Sequence, residues 1–157
     1  MKKIIAVAAL TLCALGIFGC TSNEISEYKS NDCVRYFLEG SWAEDAEILA
    51  HYEDISDLSD TESGYRYLEA SQNLREQSEK LGNLNVDENS DSEVVNLHHE
   101  LLEGSGQLLT ASNGFMNAAI GLSDGEYDDL SAEYMEQILK AQESLNKGID
   151  TLTSVQE

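Results

Sequence analysis

Residues 90–120 read SDSEVVNLHHELLEGSGQLLTASNGFMNAAI. Val94, Leu97, Leu101, Leu102, Leu108, Leu109, Ser112, Phe115, Met116, Ala119 and Ile120 recur there at steps of three and four. That spacing places them on one helical face and holds for about 30 residues, about 45 Å at ~1.5 Å per residue. Ser90-Asp-Ser-Glu93 has the form of a capping box, in which the serine hydroxyl and the glutamate carboxylate satisfy unpaired N–H groups at a helix start. Gly104, Gly106 and Gly114 each cost up to ~1 kcal/mol against alanine. They either admit a close neighbour or mark a bend.

Three more segments carry the same period. The first, residues 32–58, holds Val34, Phe37, Leu38, Ile48, Leu49, Tyr52 and Ile55. It has a break point at Gly40-Ser41, and Ser41-Trp-Ala-Glu44 is a capping-box restart. The second, residues 61–84, aligns Tyr67, Leu68, Ser71, Leu74, Ser78, Leu81 and Leu84, after the start signal Ser59-Asp-Thr-Glu62. The last, residues 127–155, aligns Leu130, Tyr134, Ile138, Ala141, Leu145, Ile149 and Leu152, after Ser123-Asp-Gly-Glu126. Strand-like alternation never persists, and no hairpin dipeptide lies between β-branched runs. Four amphipathic segments with short connections predict an all-α fold, an antiparallel four-helix bundle over residues 32–157.

The N-terminus has a different character. Lys2 and Lys3 are followed by the almost wholly apolar Ile4 to Phe18, and then by Gly19-Cys20. The apolar run is shorter than the ~20 residues of a spanning helix. The Ala-x-Ala-like cleavage options near Ala6, Ala8 and Ala14 come too early in it. Ile17-Phe18-Gly19-Cys20 resembles the lipobox of a bacterial lipoprotein signal peptide, with Phe18 bulkier than is usual there. The resemblance implies a signal peptide over residues 1–19 and a diacylglyceryl thioether on Cys20. The partner it implies is the membrane, cell membrane or outer membrane, held through that lipid with the protein facing the extracytoplasmic side. Thr21 after the cysteine is in keeping with outer-membrane sorting in a Gram-negative envelope. Residues 20–31 then read as the lipidated cysteine and a flexible polar tether. The rest of the chain resembles, in style alone, small acidic helical lipoproteins of this kind, with capped helices and the Leu97–Leu102 stretch LHHELL.

From Cys20 onward, 30 acidic residues face seven basic ones, a net charge of −23. Such a chain repels nucleic acid and anionic headgroups. Its acids are spread along the sequence, which reads first as a solvated surface and second as attraction for cations or a basic partner. Cys33 is the one cysteine beyond Cys20, so no internal disulfide framework exists. A small buried apolar role for it competes with an intermolecular bridge.

The residues give little support for catalysis. Nucleophile elbows, phosphate loops, dinucleotide glycine patterns and Cys-x-x-Cys pairs are all missing, and no cofactor is expected. His98-His99-Glu100-Leu-Leu-Glu103 fails as a zinc-protease motif because Glu103 stands where the second histidine belongs, although His99 and Glu103 share a helical face. Asp87-x-Asn89-x-Asp91 opens like a calcium loop, but Ser92 replaces the turn glycine and His98 the closing glutamate. His98, His99, Asp87 and Asp91, with His51, are therefore weak metal candidates against a solvated loop and a helix edge. Trp42 at a helix start and Tyr52 are candidate partner contacts, against packing at the bundle's end. The expected function is a non-enzymatic binding or scaffolding module with a protein or envelope partner. The alternative is a small-ligand or divalent-cation binding lipoprotein.

Overall fold

The computed structural model describes residues 23–51, 62–125 and 131–156. Within them every regular element is a helix. The order is α1 (23–29), α2 (Asp32–Leu38), α3 (Trp42–Ala50), α4 (Glu62–Gly82), α5 (Ser92–Ser123) and α6 (Ala132–Gln156). None of the described helices is long and apolar enough to cross a membrane.

The 32-residue α5 is the expected long helix, and its partner along most of its length is α6. A Cβ on Gly104 would lie 2.6 Å from Leu152 Cγ, one on Gly148 2.8 Å from Leu108 Cδ2, and one on Gly114 2.9 Å from Ala141 Cβ. Partners fall on α6 as they rise on α5, so the two helices run antiparallel. The glycines are there because the helices touch with no room for side chains between them. Helix α4 lies antiparallel on another side of α5, where Ser71 pairs with Ser112 (Oγ to Oγ 2.8 Å) and Gly82 approaches Leu102. The shorter α2 and α3 both pack against α4 and α6. Phe37, Leu49, Tyr67, Leu74, Leu81, Leu101, Leu108, Phe115 and Leu152 fill the centre, each under 2% exposed.

The expected break in the first segment occurs at Gly40. Its φ of +81° is a left-handed conformation that costs glycine nothing, and it turns α2 into α3. The amide of Ser41 reaches back to the carbonyl of Tyr36 (3.1 Å), the long closing bond of a Schellman turn. The predicted capping box at Ser41–Glu44 does not form: Ser41 already has helical dihedrals and its side chain makes no cap bond. At α5 the cap is Asp91, whose Oδ1 accepts from the amide of Glu93 (3.0 Å), not Ser90. Ser123-Asp-Gly ends α5 and does not start α6, because Gly125 at φ +72° stops the helix. The amide of Tyr134 donates to Ser131 Oγ (3.2 Å) at the start of α6 instead. The expected signal at Ser59–Thr61 and the stripe residues Ile55 and Leu130 lie outside the described residues.

Two expectations are corrected. Residues 23–29, placed in a flexible tether, form helix α1, because Ile25 and Tyr28 are three apart and both turn onto the core. Ile120, placed on the buried stripe, is half exposed (47%), while Ala111, Ala118 and Ala119 are buried along the same stretch.

The α5–α6 contact makes opposite forecasts for two glycines. Gly148→Ala would bring a Cβ within 3.1 Å of the Gly104 carbonyl and should destabilise the fold by about 1–3 kcal/mol. Gly106→Ala meets nothing within 4 Å and should stabilise it by about 0.5–1 kcal/mol. Urea unfolding of the two variants checks the pair, and equal shifts would contradict the close seam.

Candidate functional site

The loop after α4 uses its acidic side chains on itself. Asp87 Oδ1 accepts from both the backbone amide (2.9 Å) and the side-chain amide (2.7 Å) of Asn89, which holds its carboxyl below the usual aspartate range. Asp91 is committed to the start of α5. The oxygens that resemble the opening of a calcium loop thus make an Asx turn and a helix cap.

His98 points inward from α5 and is 8% exposed. A 2.9 Å hydrogen bond joins its Nδ1 to the hydroxyl of Tyr28, and the two rings meet edge to face at 5.8 Å. Burial lowers the pKa of His98, and the neighbouring His99 lowers it further. Burial likewise drives the Tyr28 hydroxyl up, with the Cys33 thiol adding to it, so Tyr28 keeps its proton. His99 is exposed, and Glu103, its partner on the helical face, lies 3.8 Å from Lys147 of α6. His51 caps the C-terminus of α3 at the surface. The metal candidates His98, His99, Asp87 and Asp91 are therefore not brought together. Among the described residues no three His, Cys, Asp or Glu side chains converge as a metal site.

Trp42 is corrected from a candidate partner contact to a core residue. It is 3% exposed, and its indole N–H donates to the carbonyl of Phe37 (3.0 Å). The end of α2 leaves that carbonyl without a helical partner. The amide of Gln156 donates to it as well (2.9 Å). Tyr52 and Cys20 lie outside the described residues. Cys33 is buried, and burial raises its thiol pKa, which keeps it protonated.

A buried carboxylate escaped the sequence reading. Asp45, on α3, is 7% exposed and accepts hydrogen bonds from the Tyr36 hydroxyl and the Asn73 amide, the latter at 3.4 Å. Burial raises its pKa, Glu44 and Glu69 add to the effect, and the two donors oppose it. The signal was present: Asp45 takes a position on the α3 stripe, between Trp42 and Leu49. Tyr67 extends the polar connections of the core, its hydroxyl donating to the Ser112 carbonyl (3.3 Å).

Two surface hollows lie among the described residues. One, of about 180 Å³, lies between α1 and the 84–90 loop and is walled by Glu24, Glu27, Tyr28 and Asn31 on one side. The other lies along α5 and α6. Comparison with protein-family models, with curated proteins and with solved structures finds no match.

His98 and Asp45, both buried, give stability pH slopes of opposite sign. The lowered pKa of His98 means the unfolded chain binds its proton more readily. Its contribution is full above the ordinary histidine value of 6.5 and lost as pH falls through the folded value. The raised pKa of Asp45 acts the other way, full below 3.8 and lost as pH rises through the folded value. Thermal melts from about pH 4 to about pH 8 should show His98→Gln losing part of the acid-side decline. Asp45→Asn should lose part of the decline toward neutral pH, and unchanged profiles would count against both assignments.

Proposed function

We propose that the chain is a bacterial lipoprotein, anchored through lipid on Cys20 at the extracytoplasmic face of a membrane. Its helical domain acts as a non-enzymatic binding or scaffolding module. The observation that carries the reading is the order Lys2-Lys3, apolar Ile4 to Phe18, then Gly19-Cys20. Helix α1 is described from residue 23, close in sequence to that cysteine. The domain is read as an antiparallel four-helix bundle in which α2 and α3 together form one leg. Their shared contacts with α4 and α6 support this, as do the antiparallel pairings of α4 with α5 and of α5 with α6.

The binding-module reading draws on how the polar side chains are used. Asp91 caps a helix, His98 ties α5 to α1, Asp45 gathers α2 and α4 onto α3, and Ser71 and Ser112 join α4 to α5. What the domain then offers to its surroundings is long, rigid helical faces carried close to the bilayer. A partner meets such a surface at high local concentration.

Expression of the full chain with a labelled fatty acid such as palmitate tests the anchor. The unaltered chain should take up label and fractionate with membranes. Cys20→Ser should lose the label and leave the membrane pellet. Label retained by Cys20→Ser would rule out the lipoprotein reading.

A further inference from the structure

Helix α1 is thinly held. Of its residues only Ile25 and Tyr28 turn onto the core, and the others are exposed. Lys29 adds a surface pair with Glu93 of α5 at 3.8 Å, of a kind that contributes little. Toward the 84–90 loop, Glu24, Glu27 and Asn31 stand over the hollow of about 180 Å³, so α1 has no close packing on that side. The described side-chain hydrogen bond that fastens α1 to the bundle joins Tyr28 to His98, 70 residues away. At the far end of α1 the backbone leaves helical geometry. Asn31, at ψ 135°, is extended, and α2 starts afresh at Asp32. The bonds that close α1 from Ser30 and Asn31 run back to Ser26, Glu27 and Tyr28, within α1 itself. Asn31 is thus a hinge about which α1 turns with its own hydrogen bonds intact.

We propose that α1 is an acid-released latch: protonation of His98 frees α1 from α5 to swing about Asn31, while α2 to α6 stay folded. An imidazolium donates at both ring nitrogens and accepts at neither, so the Tyr28 hydroxyl cannot donate to it. A charge buried without a partner is costly, and release of α1 gives it water. The groups around this corner do not supply a partner. On α1, Glu24 and Glu27 are exposed and Lys29 is itself a cation. On α2, Cys33 keeps its proton and Asp32 is exposed. Lys80 of α4 is another cation, tied to Glu76. In the loop, Asp87 is held by Asn89 and Glu88 is exposed. On α5, Glu93 faces Lys29, and His99 opposes a positive charge beside it. Withdrawal of Tyr28 uncovers Cys33 and Val94, which lie against it. The rest of the bundle responds in the opposite sense. Asp45, which joins α2, α3 and α4, regains its contribution as pH falls, so acid loosens α1 while steadying that joint. This inference stands whether or not Cys20 is lipidated.

The test is hydrogen exchange of the purified full chain at about pH 7.5 and about pH 5.5, each corrected for the intrinsic exchange rate. Protection at the amides of Ser30 and Asn31, which close α1, should fall by up to about tenfold over that interval, the change that uptake of one proton allows. Protection in α5 and α6 should hold. His98→Gln, which stays neutral, should give the same α1 protection at both pH values. A second measurement needs no variant at His98. In the unaltered chain the His98 imidazole signal in NMR, assigned by way of His51→Gln and His99→Gln, should titrate with the same midpoint as the loss of α1 protection. Protection of α1 that does not change with pH, a loss shared equally by α5 and α6, a pH response that persists in His98→Gln, or titration of His98 with α1 still protected would each overturn the proposal.

Discussion

The fold depends on how closely α5 and α6 approach. Glycines at 104, 114 and 148 leave no gap between the helices, and Leu108 and Leu152 fit into the space that missing side chains create. Both leucines are fully buried, each a contribution of roughly 1.5–3 kcal/mol from area alone. Once this pair is set, α4 has a groove to occupy beside α5, and the shorter α2 and α3 close the remaining side against α4 and α6. A larger residue at any of these glycines would move the whole of α6, because close-packed helices transmit displacement along their length.

Electrostatics contributes little to holding the helices together. The pairs Glu76–Lys80 and Glu136–Lys140 lie within single helices and Arg35–Glu39 at the end of α2, all at exposed positions, where such pairs add a few tenths of a kcal/mol at most. Between helices, Lys29–Glu93 and Lys147–Glu103 are exposed pairs at 3.8 Å, and the buried polar contacts are short of charge: Tyr28 with His98, Ser71 with Ser112, and the hydroxyl and amide that meet Asp45. Asp45 is the exception, a carboxylate kept inside at a cost, and its two donors reduce that cost. The acidic surplus is therefore a property of the surface, setting which approaches from outside are tolerated.

The helices were legible in the sequence because burial imposes a 3.6-residue period, and α5 carries that period for eight turns. Ends were harder to read. A Ser-x-x-Glu spacing marks a possible cap, but whether it caps depends on where the preceding turn releases the chain, and Gly40 and Gly125 released it elsewhere. Trp42 was misread for a related reason. Its place at a helix start suggested exposure, while the bare carbonyl of Phe37, a consequence of the turn at Gly40, drew the indole inward. Asp45 and Tyr28 were missed because each takes its meaning from a residue distant in sequence, Asn73 in one case and His98 in the other. The weak metal candidates rested on partial matches of spacing alone. Local hydrogen bonds to Asn89 and to the start of α5 compete for the same oxygens, and spacing does not report that competition.

The carbonyl of Phe37 has one more implication, for the order in which the domain matures. Its second donor is the side chain of Gln156, 119 residues away along the chain. Contacts within α5 and α6 are close in sequence and form early, since short loops close at little entropic cost. The corner between α2 and α3 cannot reach its final state until the last turn of α6 has arrived. A nascent chain emerging N-terminus first would therefore hold the corner between α2 and α3 incomplete until α6 has been made, with Trp42 and Phe37 still waiting for the segment that seals them.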